Sequence, residues 1–62
     1  MKLKSHRAEH DLTQQQLADM VGVSKQTVFN WEWGKTYPTY DHAKRLAKVF
    51  NCGLDDIDFS RR

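Results

Sequence analysis

The stretch from Gln14 to Trp31, QQQLADMVGVSKQTVFNW, carries the side chains most able to do chemistry. Apolar residues at Leu17, Val21, Val23, Val28 and Trp31, with small Ala18 among them and Gly22 as a hinge, fit one inner face of two short helices joined by a tight turn. The polar residues left over are Gln14, Ser24, Lys25, Gln26 and Asn30. Amides and a lysine on the outside of a short helix can match base edges and phosphates in a DNA groove.

A second pattern, His6-Arg7-Ala8-Glu9-His10, has the H-x-x-E-H spacing that places two histidines four residues apart on a helix, where they can hold zinc. A catalytic zinc also needs a third protein ligand from elsewhere and a cleft for substrate. A chain of 62 residues divided among short helices leaves little room for either, so no metal or cofactor is expected. Neither a G-x-S-x-G nucleophile elbow nor a phosphate loop is present. Cys52 stands alone, which excludes an intramolecular disulfide and a CxxC site, and it suits a small core position better than a reactive thiol. The expectation is a non-enzymatic protein.

The elements that must position these groups are legible in order. Residues 2–10 suit a first helix with Leu3, Arg7 and His10 on one face. Asp11 and Leu12 connect it to Thr13, which with Gln16 forms a capping box for a second helix over 14–21, buried through Leu17, Met20 and Val21. Gly22 ends that helix, Val23 turns back to the core, and Ser24 caps a third helix over 25–33. Val28 and Trp31 face inward there, leaving Lys25, Gln26, Phe29, Asn30 and Trp33 on other faces. Gly34 and Pro38 bound a loop. Thr39 caps a fourth helix reaching Phe50, with Tyr40, Ala43, Leu46, Ala47 and Phe50 on its core side. Asn51, Cys52 and Gly53 break it, and Leu54 to Asp58 form a last short turn docking Leu54 and Ile57. No strand alternation appears, so the class is all-α.

Residues 1–62 make one small domain, with the helix pair at about 14–33. The formal charge of +2 is too small to argue for nucleic acid. Its distribution says more, because Lys2, Lys4, Arg7, Lys25, Lys35, Arg61 and Arg62 are cationic, whereas acid gathers at Asp55, Asp56 and Asp58. With one cysteine, no membrane span and no signal peptide, a reduced cytoplasmic setting is expected.

With its elements laid out, the chain resembles the phage repressor and Cro-like helix-turn-helix family, also called the XRE type. The matching motif is LTQQQLADMVGVSKQTVFNWEWGKTYPT, with family marks at Leu17, Ala18, Gly22, Val23, Val28 and Trp31 and a Trp-Glu-x-Gly-Lys run after them. A weaker match continues through the fourth helix to Asp55-Asp56-Ile57. The resemblance implies a lambda-repressor-like domain of five short helices. Its third helix enters the major groove of double-stranded DNA, usually as a homodimer on a two-fold operator. It implies base contacts from Gln26 and Asn30, with Lys25 reaching base or phosphate; Phe29 is an unusual apolar group on that face, suited either to packing at the edge of the fold or to base contact at thymine methyls. Phosphate contacts are implied for Gln14, Ser24, Lys35 and Thr36, and a structural ion pair for Arg7 with Glu32. Trp33 departs from the polar or basic residue common at its place, and Gly53 replaces the usual Ser/Thr cap. A protein-interaction or antitoxin-type module on the same fold is the alternative.

Overall fold

The computed structural model describes residues 1–59; Arg61 and Arg62, counted above among the cations, lie outside the described residues. Four α-helices follow one another, α1 (Leu3–Glu9), α2 (Gln14–Val21), α3 (Lys25–Trp33) and α4 (Tyr40–Phe50). In place of a fifth α-helix there is a single 3-10 turn, Leu54–Asp56. Gly53 offers no side chain to cap it. Asp56 does the capping instead, its Oδ2 accepting from the Gly53 N–H at 3.0 Å.

Local chemistry explains the other boundaries. Thr13 Oγ1 accepts from the Gln16 N–H at 3.0 Å while Gln16 Oε1 accepts from the Thr13 N–H at 2.8 Å, a reciprocal cap that starts α2. Ser24 Oγ accepts from the Thr27 N–H at 3.2 Å, and Thr39 Oγ1 from the His42 N–H at 3.3 Å. At the end of α2, Gly22 takes φ 82° and its N–H, with that of Val23, returns to the Ala18 carbonyl at 2.8 and 3.0 Å. Three residues therefore redirect the chain from α2 to α3.

The core is built from Leu3, Leu17, Ala18, Val21, Val28, Trp31, Leu46, Ala47, Phe50 and Ile57. Ala18 is fully buried on α2, so a larger side chain there would have to displace its neighbours. Several expectations need correction. Leu17, Ala18 and Val21 span an arc of about 100° on α2, and Met20 falls about 60° outside it, which leaves it 55% exposed. Tyr40 is 67% exposed because it opens α4 before the core begins, and Leu54 lies on the outer side of its turn while Ile57 docks. On α1 it is His6, not His10, that enters the interior with Leu3. Cys52 and Val23 are half-buried against the core.

One short pairing joins the chain ends. Lys2 and Asp58 form an isolated parallel bridge, with the Asp58 N–H donating to the Met1 carbonyl at 2.7 Å. The Asp56 carbonyl accepts from the Met1 amine at 3.1 Å and lies 2.9 Å from His6 Nε2. Among the described residues no helix is long and apolar enough to cross a membrane.

A Cβ at Gly22 would meet only Arg45 Nη1 at 3.5 Å, so space is not limiting and the cost of a side chain is the left-handed backbone. Gly22→Ala should lower stability by roughly 1–2 kcal/mol, read as a drop in the urea midpoint with an unchanged slope.

Candidate nucleic-acid interface

The third helix divides its faces sharply. Val28 and Trp31 are buried, whereas Lys25 and Gln26 are exposed and Asn30 is half-buried. Gln26 Nε2 donates to Asn30 Oδ1 at 3.0 Å, so the two amides form one exposed unit with an acceptor and donors still available. Phe29 is 39% and Trp33 64% exposed, and their rings meet edge to face, 6.2 Å apart at 60°.

Asn30 also works through its backbone. Its carbonyl accepts from the Lys35 N–H at 2.9 Å and the Thr36 N–H at 3.4 Å, fixing the loop that carries both of these exposed side chains relative to α3. Ser24 is exposed at the helix start, where its hydroxyl caps α3 and lies 2.8 Å from Thr27 Oγ1. Lys25, Gln26, Phe29, Asn30, Lys35 and Thr36 thus belong to one continuous segment ordered by α3 and its C-terminal turn.

Gln14 is placed differently from a free phosphate ligand. Its Nε2 donates to Glu32 Oε1 at 3.0 Å. The same carboxylate receives Arg7, with Nε 2.6 Å from Oε2 and Nη2 3.3 Å from Oε1. Arg7 Nη1 also donates to the Leu12 carbonyl at 2.8 Å. Their side chains are only 15% and 6% exposed, so the ion pair is largely removed from water. The Arg7–Glu32 pair therefore joins α1, the α1–α2 connection, the start of α2 and the end of α3. A cleft of about 300 Å³ beside it is lined by these groups with Lys4, Phe29 and Trp33.

Two supporting residues escape a sequence-level reading. Arg45 of α4 reaches back with Nη1 to the Val21 carbonyl at 3.2 Å, placing a cation at the C-terminal end of α2, where the helix dipole is negative. Only the fold brings residues 24 positions apart together, and no local signal marks it. His6 is 7% exposed, bound to the Asp56 carbonyl and stacked on Phe50 with ring centroids 5.2 Å apart. Its spacing from Leu3 is the signal that could have found it. His10 directs Nδ1 to the His6 carbonyl at 3.0 Å, so the two histidines of the H-x-x-E-H pattern each engage a backbone carbonyl. Burial, and next the Asp56 carboxylate, push the Cys52 thiol up, which disfavours the nucleophilic thiolate.

A family model described as helix-turn-helix matches residues 3–57. Over 56 residues the chain is 46% identical to an uncharacterized HTH-type transcriptional regulator of Methanocaldococcus jannaschii, covering 90% of this chain and 85% of that one. It is 38% identical to the HTH-type transcriptional activator BcrR of Enterococcus faecalis, over 90% of this chain and 28% of the relative. It is 30% identical to the cryptic phage CTXphi transcriptional repressor RstR of Vibrio cholerae, over 90% of this chain and 50% of the relative. No solved structure matches the chain significantly.

Removing Arg7 would leave the Glu32 carboxylate buried with only the Gln14 amide for company. Arg7→Ala should cost about 3–5 kcal/mol, enough to unfold much of a domain this small. The double variant Arg7→Ala/Glu32→Ala should recover part of that loss, read by thermal melting followed by circular dichroism.

Proposed function

The chain belongs to the helix-turn-helix family, a transcriptional regulator with a DNA-binding domain, and on that premise we propose that it is a sequence-specific repressor reading a two-fold operator. The observation that carries this reading is the face of α3. Its scaffold side is closed by Val28, Trp31 and the Arg7–Glu32 pair, and its other side presents Gln26 and Asn30 as a coupled amide pair beside Lys25 and Phe29. In the major groove, Gln26 and Asn30 read adenine or guanine edges by hydrogen bonding, while Lys25 reaches a base or a phosphate. Lys35, Thr36 and Ser24 hold the phosphate backbone and fix register. Gln14 joins them through the N-terminal end of α2, where backbone N–H groups favour an anion, its side chain already bound to Glu32.

Residues 1–62 act as one domain in this reading, and two copies bind half-sites roughly 10 base pairs apart, one turn of the duplex. Occupancy of the operator excludes other proteins from the same groove and needs no further surface, which favours repression. The relatives include proteins named as activator and as repressor. A cytoplasmic location follows from the same role. A protein-interaction module on this fold would leave the polar face of α3 without a use.

The salt dependence of binding separates these two. With Lys25 and Lys35 from both copies neutralising about four phosphates, the log–log slope against salt should be roughly −3.6, about 150-fold weaker binding between about 50 and 200 mM salt. A flat response by fluorescence anisotropy would exclude the DNA reading. Gln26→Ala and Asn30→Ala should each cost about 1–3 kcal/mol on the selected site and relax preference at one position; unchanged selection profiles would remove them from the reading face.

A further inference from the structure

We propose that Phe29, braced by Trp33, recognises the 5-methyl group of a pyrimidine in the major groove. This rests on the proposal that α3 enters that groove. At 100° per residue, Lys25, Phe29, Trp33, Gln26 and Asn30 sit at about 0°, 40°, 80°, 100° and 140° around α3, with buried Val28 and Trp31 at about 300° and 240°. Phe29 and Trp33 thus lie between Lys25 and the amide pair, on the flank of the exposed arc that borders the cleft beside Arg7 and Glu32. Both rings are outside the buried core and the apolar residues packed on it.

A benzyl ring offers no hydrogen bond to a base edge or a phosphate. The apolar feature that a base pair presents in the major groove is the methyl on C5 of thymine, and 5-methylcytosine carries its methyl on the same carbon. The ring of Phe29 projects from the fifth and central residue of α3, one turn after Lys25 at the N-terminal end that contacts bases in helix-turn-helix proteins. Trp33, one turn further, meets it edge to face and limits the positions the ring can take. Trp33 is therefore a positioning residue and Phe29 the one in contact.

The experiment uses the full chain and sites selected from a random DNA pool. Each thymine is exchanged for uracil and each cytosine for 5-methylcytosine, one position at a time, with affinity read by anisotropy. Uracil at one position per half-site should weaken binding about fourfold, the equivalent of about 0.8 kcal/mol for one methyl group. In Phe29→Ala that difference should vanish, and in Trp33→Ala the thymine-to-uracil ratio should shrink. A gain confined to 5-methylcytosine would assign the methyl to that base and a loss confined to uracil would assign it to thymine; either supports the contact. A selected site at which neither exchange changes affinity overturns the inference while sparing the DNA reading, as does a thymine-to-uracil difference that survives in Phe29→Ala. Failure to select any sequence overturns the DNA reading itself.

Discussion

The carboxylate of Glu32 is the point on which the orientation of the third helix depends. Taking a charge out of water costs several kcal/mol, and the cost is offset only where the geometry of the partners is good. Here the guanidinium of Arg7 meets the carboxylate through two nitrogens and the Gln14 amide adds a third donor. Such a pair adds little to stability compared with an apolar replacement, yet it is strict about position. Arg7 can serve Glu32 and the Leu12 carbonyl together only while α1 lies at one place beside α3. The apolar core between α2, α3 and α4 would tolerate small slides, and the ion pair does not. Rotating α3 about its axis would therefore break a buried charge pair before it disturbed much of the core.

Around this point the fold relies on residues that satisfy backbone groups at helix ends. Thr13, Ser24 and Thr39 serve the starts of α2, α3 and α4. Gly22, Gly34 and Asn51 serve the ends through left-handed backbone. At 62 residues the surface buried on folding is limited, and each such cap is worth about 1 kcal/mol. The pairing of Met1 and Lys2 with Asp56 and Asp58 adds a clasp between the first helix and the last turn, and His6 fills the space beneath it against Phe50.

What could be read from the sequence follows the range of the interactions. Thr13 and Gln16 are three residues apart and define the start of α2 by themselves, and Gly22 and Ser24 do the same for the turn into α3. The positions of α2, α3 and α4 were legible for that reason. Arg45 at the Val21 carbonyl and His6 at the Asp56 carbonyl join residues far apart in the chain, so no local pattern announces either bond, although the spacing of His6 from Leu3 marks it as inward-facing. Met20, Tyr40 and Leu54 mark a second limit. Periodicity marks an apolar side, but not how wide an arc the neighbouring elements cover, which leaves Met20 out, nor how far along the helix they reach, which leaves Tyr40 out. The candidate site was legible as a set of side chains on α3, whereas the involvement of Gln14 with Glu32 depends on how the helices cross.

The Asn30 carbonyl holds the Lys35 and Thr36 amides by main-chain bonds, while the Asn30 side chain points its amide toward Gln26. In the proposed complex, grip on the duplex and choice of sequence would therefore be carried by separable atoms of one residue. Exchanging the side chains at 26, 29 and 30 leaves the loop anchor, the caps and the buried ion pair in place. On that proposal the domain changes its address without renegotiating its foothold, and descendants of one scaffold would come to control different genes by a few substitutions along a single helical face.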